Sequence, residues 1–335
     1  MAGTRFALGI DVGGTKIAAA IVVQDGSAIG SGRRDTPPTG HELILAAMIE
    51  AADEAGSAAG VRVRDARGVG IAVPGSVDRT AGVAIGGVNV GWDRLDMGPR
   101  LGAHYGLDWA VENDTNAAVW GEAQFGAAKG RLNAVYITVG TGIGGGAIEN
   151  GHLLLGHMGG AAEVGHVIVR PGGPVCACGT AGCAEAVAAG PAIAAAGVKA
   201  MAGDAASLLH QLSGGNPERV SAETVARAYA GGDSAAGAVW LRAMDEIALA
   251  LVAVWRVLAP EIFAVGGGVA RAGDSFFGPL RDAFAKHTGR ALPGGREGAR
   301  RLIVPAGLGD AAGSVGASAL ILRPVPGRIG QRSPA

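Results

Sequence analysis

Apolar positions along this chain follow two different spacings, and glycine marks most of the places where one gives way to the other. Residues 5–23 carry two apolar runs separated by Gly13-Gly14-Thr15, a pattern that predicts strand, glycine turn, strand. Gln24-Asp25-Gly26 then turns the chain into a third short strand. Over 41–59 the apolar residues Leu43, Ala47, Ile49, Ala51 and Ala55 recur at helical spacing and predict the first helix. Residues 69–73 are apolar throughout and stop at Pro74-Gly75, as a buried strand does, and 78–91 reads as a glycine-rich crossing segment. A short helix near 96–105, a strand over 109–112 and a helix opened by Asn113-Asp114-Thr115 and running to about 126 follow. Repeated strand-then-helix order predicts a parallel or mixed α/β sheet.

The second half opens in the same way. Residues 134–139 predict a strand, 140–146 a glycine turn, and 147–148 a second strand ended by Asn150-Gly151, a favoured hairpin pair. The strand, glycine loop and strand of 8–22 thus recur at 135–150, which predicts an internal duplication and two lobes of like topology. Helices are expected near 182–198, 204–212, 221–230 and 235–258. A strand over 262–265 ends in Gly266-Gly267-Gly268. A helix near 275–287, a strand over 302–304, a helix near 310–322 and a frayed tail over 323–335 complete the expectation.

Composition narrows this picture. A length of 335 residues suits a two-lobed fold, and with aromatics at 4% the core must be filled by Ala, Val, Leu and Ile, which permits close packing of elements. A formal net charge of −1 provides no field for nucleic acid or an anionic membrane surface. The first apolar run is interrupted at Asp11, and the longest helical apolar stretch, around 247–259, carries Arg256, so neither a signal peptide nor a spanning segment is expected. The three cysteines form no disulfide framework, which places the chain in a reducing cytoplasm.

Those cysteines fall within eight residues, and His166 stands ten positions before the first of them, giving H-x9-C-x-C-x4-C over His166, Cys176, Cys178 and Cys183. A Cys3His set fills all four positions of a tetrahedral zinc ion and leaves none for a catalytic water, so the metal would be structural. The alternative is a group of small buried cysteines. Glu163 and Glu185 bracket the loop, lie outside the chelating pattern, and are either ligands for something else or solvated carboxylates.

Gly140 to Gly145 satisfies G-x-G-x-x-G, yet a second strand and an Asn-Gly turn follow where a dinucleotide fold needs a helix. No Walker A sequence precedes Gly14-Thr15-Lys16. Each glycine loop by itself is a tight turn. Three of them after strands, at 13–15, 140–146 and 266–268, present backbone N–H nests that suit a polyphosphate, with Asp11 beside the first as a magnesium anchor through water. Asp114 is the candidate base of a phosphoryl transfer, its alternative role being the N-cap of the helix it opens.

Together, Asp11-Val-Gly-Gly-Thr-Lys16, Val73-Pro-Gly-Ser-Val-Asp78, Glu112-Asn-Asp-Thr-Asn-Ala117, the glycine run 138–146, Glu163-Val-Gly-His166, the cysteine loop to Glu185, Gly266-Gly-Gly-Val-Ala270 and Leu308-Gly-Asp-Ala-Ala-Gly313 resemble the ROK family of sugar kinases, most closely its bacterial glucokinases, over about residues 6–322. The resemblance implies an actin-like, hexokinase-type (ribonuclease H-like) α/β fold with duplicated domains and a cleft between them. The smaller lobe would hold 1–118 and about 312–335, and the larger 119–311. It implies ATP with Mg2+, a structural Zn2+, a hexose substrate phosphorylated on O6, and a homodimer or homotetramer. Asp114 matches the family's catalytic base, and Asn89, Asn113, Glu163, His166 and Glu185, with Gly75 close by, match its sugar-binding positions. His166 would serve both zinc and sugar. Nucleotide contacts would come from Asp11, Gly13, Gly14, Thr15, Lys16, Gly140, Thr141, Gly142, Gly266, Gly267 and Gly268. An aminosugar kinase (N-acetylmannosamine, N-acetylglucosamine or amino-glucose) and a polyphosphate-dependent glucokinase are the near alternatives. A sugar-responsive regulator would need a DNA-binding segment ahead of a first strand that begins by about residue 5. This chain departs from the family at Val88 and Val90 around Asn89, and at Ala162, where many members have glycine.

Overall fold

A computed structural model describes residues 5–86, 92–289 and 291–325 of the chain. Asn89, with Val88 and Val90, lies outside them, as does 326–335. In chain order the elements are β1 (Phe6–Val12), β2 (Lys16–Val23), β3 (Ala28–Asp35), α1 (His41–Ala59), β4 (Val69–Val73), β5 (Ser76–Asp78), β6 (Val83–Ile85), β7 (Arg94–Leu95), α2 (Met97–Tyr105), β8 (Trp109–Asn113) and α3 (Asp114–Phe125). There follow β9 (Ala134–Val139), β10 (Ile143–Glu149), β11 (His152–Leu153), α4 (Ala184–Ala188), α5 (Gly190–Gly203), α6 (Leu208–Ser213), α7 (Ala222–Ala230), α8 (Ser234–Leu258), β12 (Ile262–Gly266), α9 (Asp274–Thr288), α10 (Gly295–Arg301), β13 (Ile303–Pro305) and α11 (Ala312–Leu322).

The expected duplication is present in the sheets. One runs β3-β2-β1-β4-β8 and the other β11-β10-β9-β12-β13, each with the first strand of its half at the centre. In the first, β1 and β2 are antiparallel around the 13–15 turn, whereas β4 and β8 join in parallel. A third, three-stranded sheet, β5-β6-β7, occupies part of what the sequence presents as a crossing segment. Its strands are too short for period-2 alternation to register.

The chain divides into two compact units, the first Met1–Ala134, Gly146–Ala161 and Ala306–Ala335, the second Val135–Gly145 and Ala162–Pro305. Helix α3 runs unbroken through the boundary expected at 118. In unit 1 the buried side chains of β1, β2, α1, β4 and β8 form one core, filled by Leu8, Ile10, Ile17, Ile21, Ile44, Met48 and Ile71. Helix α11 belongs to the same unit and is buried along nearly its whole length. It rests on the backbone of β1 and β4, because a Cβ on Gly9 would stand 1.9 Å from the Ser314 carbonyl oxygen and one on Gly70 only 1.8 Å from that of Ala317. The residue after α11 is not frayed: the Arg323 carbonyl accepts the Trp120 indole N–H at 2.8 Å, and its guanidinium donates to Gln24 Oε1 at 2.8 Å.

Unit 2 is built around α8, whose N-terminus is capped by Asp233 accepting from the Ala236 amide at 2.7 Å. Fully buried Trp240 donates to the Ser275 carbonyl at 2.7 Å and packs edge-on against Phe276, joining α8 to α9. The single helix expected over 182–198 breaks at Ala189 into α4 and α5, where the Gly190 amide donates to the Gly140 carbonyl at 2.8 Å. Among the described residues, 184–203 is long and apolar enough by length and composition to cross a membrane, although that break interrupts it. Helix α10 is unexpected, its sequence being polar without an apolar stripe.

Ala162 adopts φ +62° immediately before Glu163. A left-handed alanine costs about 1–2 kcal/mol, which accounts for the glycine preference noted at this position. Two outcomes follow for chemical denaturation. Gly70→Ala should destabilise unit 1 by about 2–3 kcal/mol, since neither backbone can retreat from the added methyl, and an unchanged midpoint would show that α11 is not seated at this distance. Ala162→Gly should stabilise by about 0.5–1 kcal/mol, the relief of strain being partly offset by a more flexible unfolded chain.

Candidate active site and metal centre

At the C-terminal end of β8 the chain passes from strand to helix through Glu112, Asn113 and Asp114. The cap of α3 is Asn113 and not Asp114. The Asn113 side-chain oxygen accepts from the Thr115 amide at 3.0 Å, the Asn116 amide at 3.2 Å and the Thr115 hydroxyl at 2.7 Å, while its Nδ2 donates to the Gly75 carbonyl at 3.2 Å. Asp114 stands at the first helical position with Oδ1 accepting from the Thr115 amide at 2.8 Å. A carboxylate there benefits from the positive end of the helix. The structure therefore brings Gly75, Asn113 and Asp114 together.

Beneath them lies a group that sequence reasoning left unassigned. Glu112 is 2% exposed and takes a two-point hydrogen bond from Arg79, Nε to Oε2 at 2.7 Å and Nη2 to Oε1 at 2.5 Å. Its Oε1 also accepts from the Asn113 amide at 2.9 Å and from Asn116 Nδ2 at 3.2 Å. A carboxylate in the otherwise apolar run 109–112, beside the candidate base, was the available signal; a partner 33 residues earlier in the chain was not visible without the fold.

The loop at 13–15 closes β1 onto β2. The Gly13 amide donates to the Lys16 carbonyl at 2.8 Å, and the Thr36 hydroxyl donates to the Gly13 carbonyl at 2.7 Å. Asp11 reaches α11, its carboxylate lying where a Cβ on Gly313 would be, within 2.2 Å. The motifs at 11–16 and 308–313 thus meet inside unit 1. One edge of Asp11 remains accessible, but the protein packed around it pushes its carboxyl up to about 6, against the opposing pull of Lys16. A carboxyl titrating near 6 is largely ionised at neutral pH, the form that suits a hydrated divalent cation.

In unit 2 the glycine turns after β9 and β12 are neighbours, since a Cβ on Gly140 would stand 3.8 Å from the Gly268 amide nitrogen. Gly140 to Gly142 forms a turn closed by the Gly140 amide donating to the Gly142 carbonyl at 2.9 Å. Thr141 is exposed between them, and Gly267 takes φ +93°.

The cysteine loop folds back on itself through a bridge between Val175 and Ala181, with the Cys176 amide donating to the Thr180 carbonyl at 2.8 Å. One ligand atom each from His166, Cys176, Cys178 and Cys183 lies within 4.8 Å of all the others. The separations of 3.7 Å between Cys178 Sγ and Cys183 Sγ, and between Cys176 Sγ and His166 Nδ1, approximate the edges of a tetrahedron with about 2.3 Å Zn–S and 2.0 Å Zn–N bonds. A disulfide would need about 2.05 Å. Burial pushes the Cys183 thiol up to about 12 and raises Cys176, whereas the Thr180 N–H and hydroxyl draw Cys178 down to about 7. Such a set ionises fully only with a cation among the sulfurs, so these residues fit zinc.

The two acids that bracket the loop are placed differently. Glu163 is exposed and caps the short 3-10 turn Val164–His166 by its backbone, with no side-chain partner among the described residues. Glu185, in the first turn of α4, is engaged: Oε2 accepts from the Ile143 amide at 2.9 Å and Oε1 stands 3.6 Å from Cys176 Sγ. It therefore ties the Gly140–Gly142 turn to the cysteine loop rather than standing apart from it.

Residues 7–323 match the ROK family. The chain is 36% identical over 322 residues to a glucokinase of Thermotoga maritima, covering 96% of this chain and 98% of that one. It is 37% identical over 234 residues to an N-acetylmannosamine kinase of Citrobacter koseri, covering 67% and 77%. Among solved structures, a ROK family glucokinase from Streptomyces griseus in complex with glucose and AMPPNP superposes with a TM-score of 0.82 at 33% identity, over 94% of this chain and 98% of that one. Its fold is that of these two-domain, hexokinase-type kinases, and the chain belongs to the ROK family.

Proposed function

We propose that this protein transfers the γ-phosphoryl group of ATP to a hexose hydroxyl, with glucose as the substrate and O6 as the acceptor. The observation that carries the proposal is Asp114. It opens α3 with the capping duty taken by Asn113, in a chain whose near-full-length relatives include glucokinases. A phosphoryl transfer of this kind asks the protein for positioning and charge stabilisation rather than covalent chemistry.

In this reading Asp114 accepts the proton of the attacking hydroxyl as the oxygen closes on phosphorus. Asn113, immobilised by its hydrogen bonds to the start of α3 and to Gly75, offers its remaining N–H to a sugar oxygen. Glu163, with Glu185 and Asn89, supplies acceptors and donors for the other hydroxyls. Zinc held by His166, Cys176, Cys178 and Cys183 keeps that loop rigid, and with Nδ1 turned toward the sulfurs the imidazole has Nε2 for the sugar. Backbone amides at Gly14, Thr15 and Lys16, at Thr141 and Gly142, and at Gly266, Gly267 and Gly268 bind phosphate oxygens, whereas the Gly13 and Gly140 amides, expected among them, are taken up in closing their own turns. Asp11 would hold Mg2+, which when bound would neutralise phosphate charge.

Three measurements test these assignments. In an ADP-coupled assay over a sugar panel, glucose with ATP should give the highest kcat/KM. A higher value for N-acetylmannosamine, or turnover with polyphosphate in place of ATP, would move the substrate or the donor. Asp114→Asn should lower kcat by about 10²- to 10⁴-fold with glucose binding by calorimetry retained, and a near-normal rate would place the base elsewhere. Elemental analysis should find one zinc per chain, and its removal by a chelator should weaken glucose binding; metal-free protein of undiminished affinity would end the structural-zinc assignment.

A further inference from the structure

We infer that the pair of half-buried Arg79 and buried Glu112 sets the position of Asp114, and that both are positioning residues for the transfer. The inference rests on the reading of Asp114 as the proton acceptor. Glu112 is the penultimate residue of β8, two residues before Asp114, and its Oε1 gathers the Asn113 amide and Asn116 Nδ2 along with one arm of the guanidinium. The first turn of α3 is therefore held from below by one carboxylate oxygen, and that carboxylate is itself oriented by Arg79.

Arg79 follows β5 directly, in the turn where Asp78 accepts from the Thr80 and Ala81 amides at 3.2 and 3.0 Å. The same β5 segment meets the α3 start a second time, through the Gly75 carbonyl and Asn113 Nδ2. Two independent ties thus join the small β5-β6-β7 sheet to the residues flanking Asp114. The guanidinium is closed over by the 3-10 turn His157–Gly159: a Cβ on Gly159 would come within 3.0 Å of both Arg79 terminal nitrogens, and that glycine has φ +81°. The side chains of the pair are 17% and 2% exposed, so water does little to share the contact. An arginine fork matches a carboxylate at two points and fixes orientation as well as distance, which a lysine cannot do. Misplacement of a catalytic group by about 1 Å suffices to lower a rate by about 10²-fold.

The test is a double-mutant cycle on kcat with glucose and ATP, on the full chain well below its thermal midpoint. Arg79→Met should lower kcat by about 10- to 100-fold with KM for ATP unchanged, and Arg79→Lys, which keeps the charge and loses the fork, should fall between it and the parent. In the Asp114→Asn background Arg79→Met should cause no further loss beyond about twofold, because a group already removed has no position to lose. A role in stability alone would lower the midpoint, leave kcat per folded chain unchanged and overturn the inference, as would a full additional loss in the double variant. Near-normal activity of Asp114→Asn by itself would instead remove the reading on which the inference rests. Should Arg79→Met not fold, Glu112→Gln carries the same cycle, since it retains the acceptor for Asn113 and Asn116 while discharging the pair.

Discussion

The close approach of α11 to the first sheet is the constraint from which the geometry of unit 1 follows. At Gly9 and Gly70 helix and strand meet without an intervening side chain, and α3 meets α11 in the same manner, a Cβ on Gly121 standing 2.7 Å from Gly316 Cα. Three elements are thereby held at backbone distance, where dispersion contacts are dense and slippage is sterically blocked. Asp11 at the end of β1 is referenced to the start of α11, and Asp114 at the start of α3 is referenced to the middle of it. Fully buried Glu122 completes the arrangement. Its carboxylate accepts from the Ala127 amide at 2.7 Å and from the Gly307 and Leu308 amides at 2.9 Å each, fastening the loop that leads into α11 to the end of α3.

Unit 2 solves a different problem. The cysteine loop buries little apolar surface of its own, since Ile168 is 52% and Val175 74% exposed, and a segment of that kind does not order itself by hydrophobic burial. Cation coordination supplies the missing cross-link in the proposed reading. The remaining attachments are polar: Arg170 pairs with Glu246 of α8, and Glu185 reaches the Ile143 amide. Because the same short stretch presents Glu163 and His166, rigidity of the loop and orientation of its acid and imidazole are one property. The positive φ at Ala162 shows that the turn into Glu163 is maintained against a local conformational preference.

Much of this was legible in the order of residues. Helix α1 lies where its apolar spacing puts it, and the repetition of strand, glycine turn and strand reappears as two sheets of matching order. The clustering of three cysteines and one histidine corresponds to four ligand atoms brought together in space. Other features were not legible. Strands β5, β6 and β7 are two or three residues long, α10 has no apolar stripe, and the break at Ala189 depends on a hydrogen bond to Gly140, some fifty residues away in the chain. The competition between Asn113 and Asp114 for the cap was likewise undecidable locally, because both side chains have the chemistry for it; Gly75, in the turn between β4 and β5, fixes the amide in the capping position.

The sequence alone determined the class of fold, the duplication, the composition of the histidine-cysteine cluster and the family resemblance, because each of these depends on periodicity or on side-chain chemistry that survives without coordinates. Only the tertiary structure decided that Arg79 pairs with Glu112, that Glu122 clamps the approach to α11, that Asp11 abuts Gly313, and that Glu185 is committed to the Ile143 amide. Those are contacts between residues distant in the chain, and they depend on burial and on directional hydrogen bonds, neither of which a linear pattern encodes.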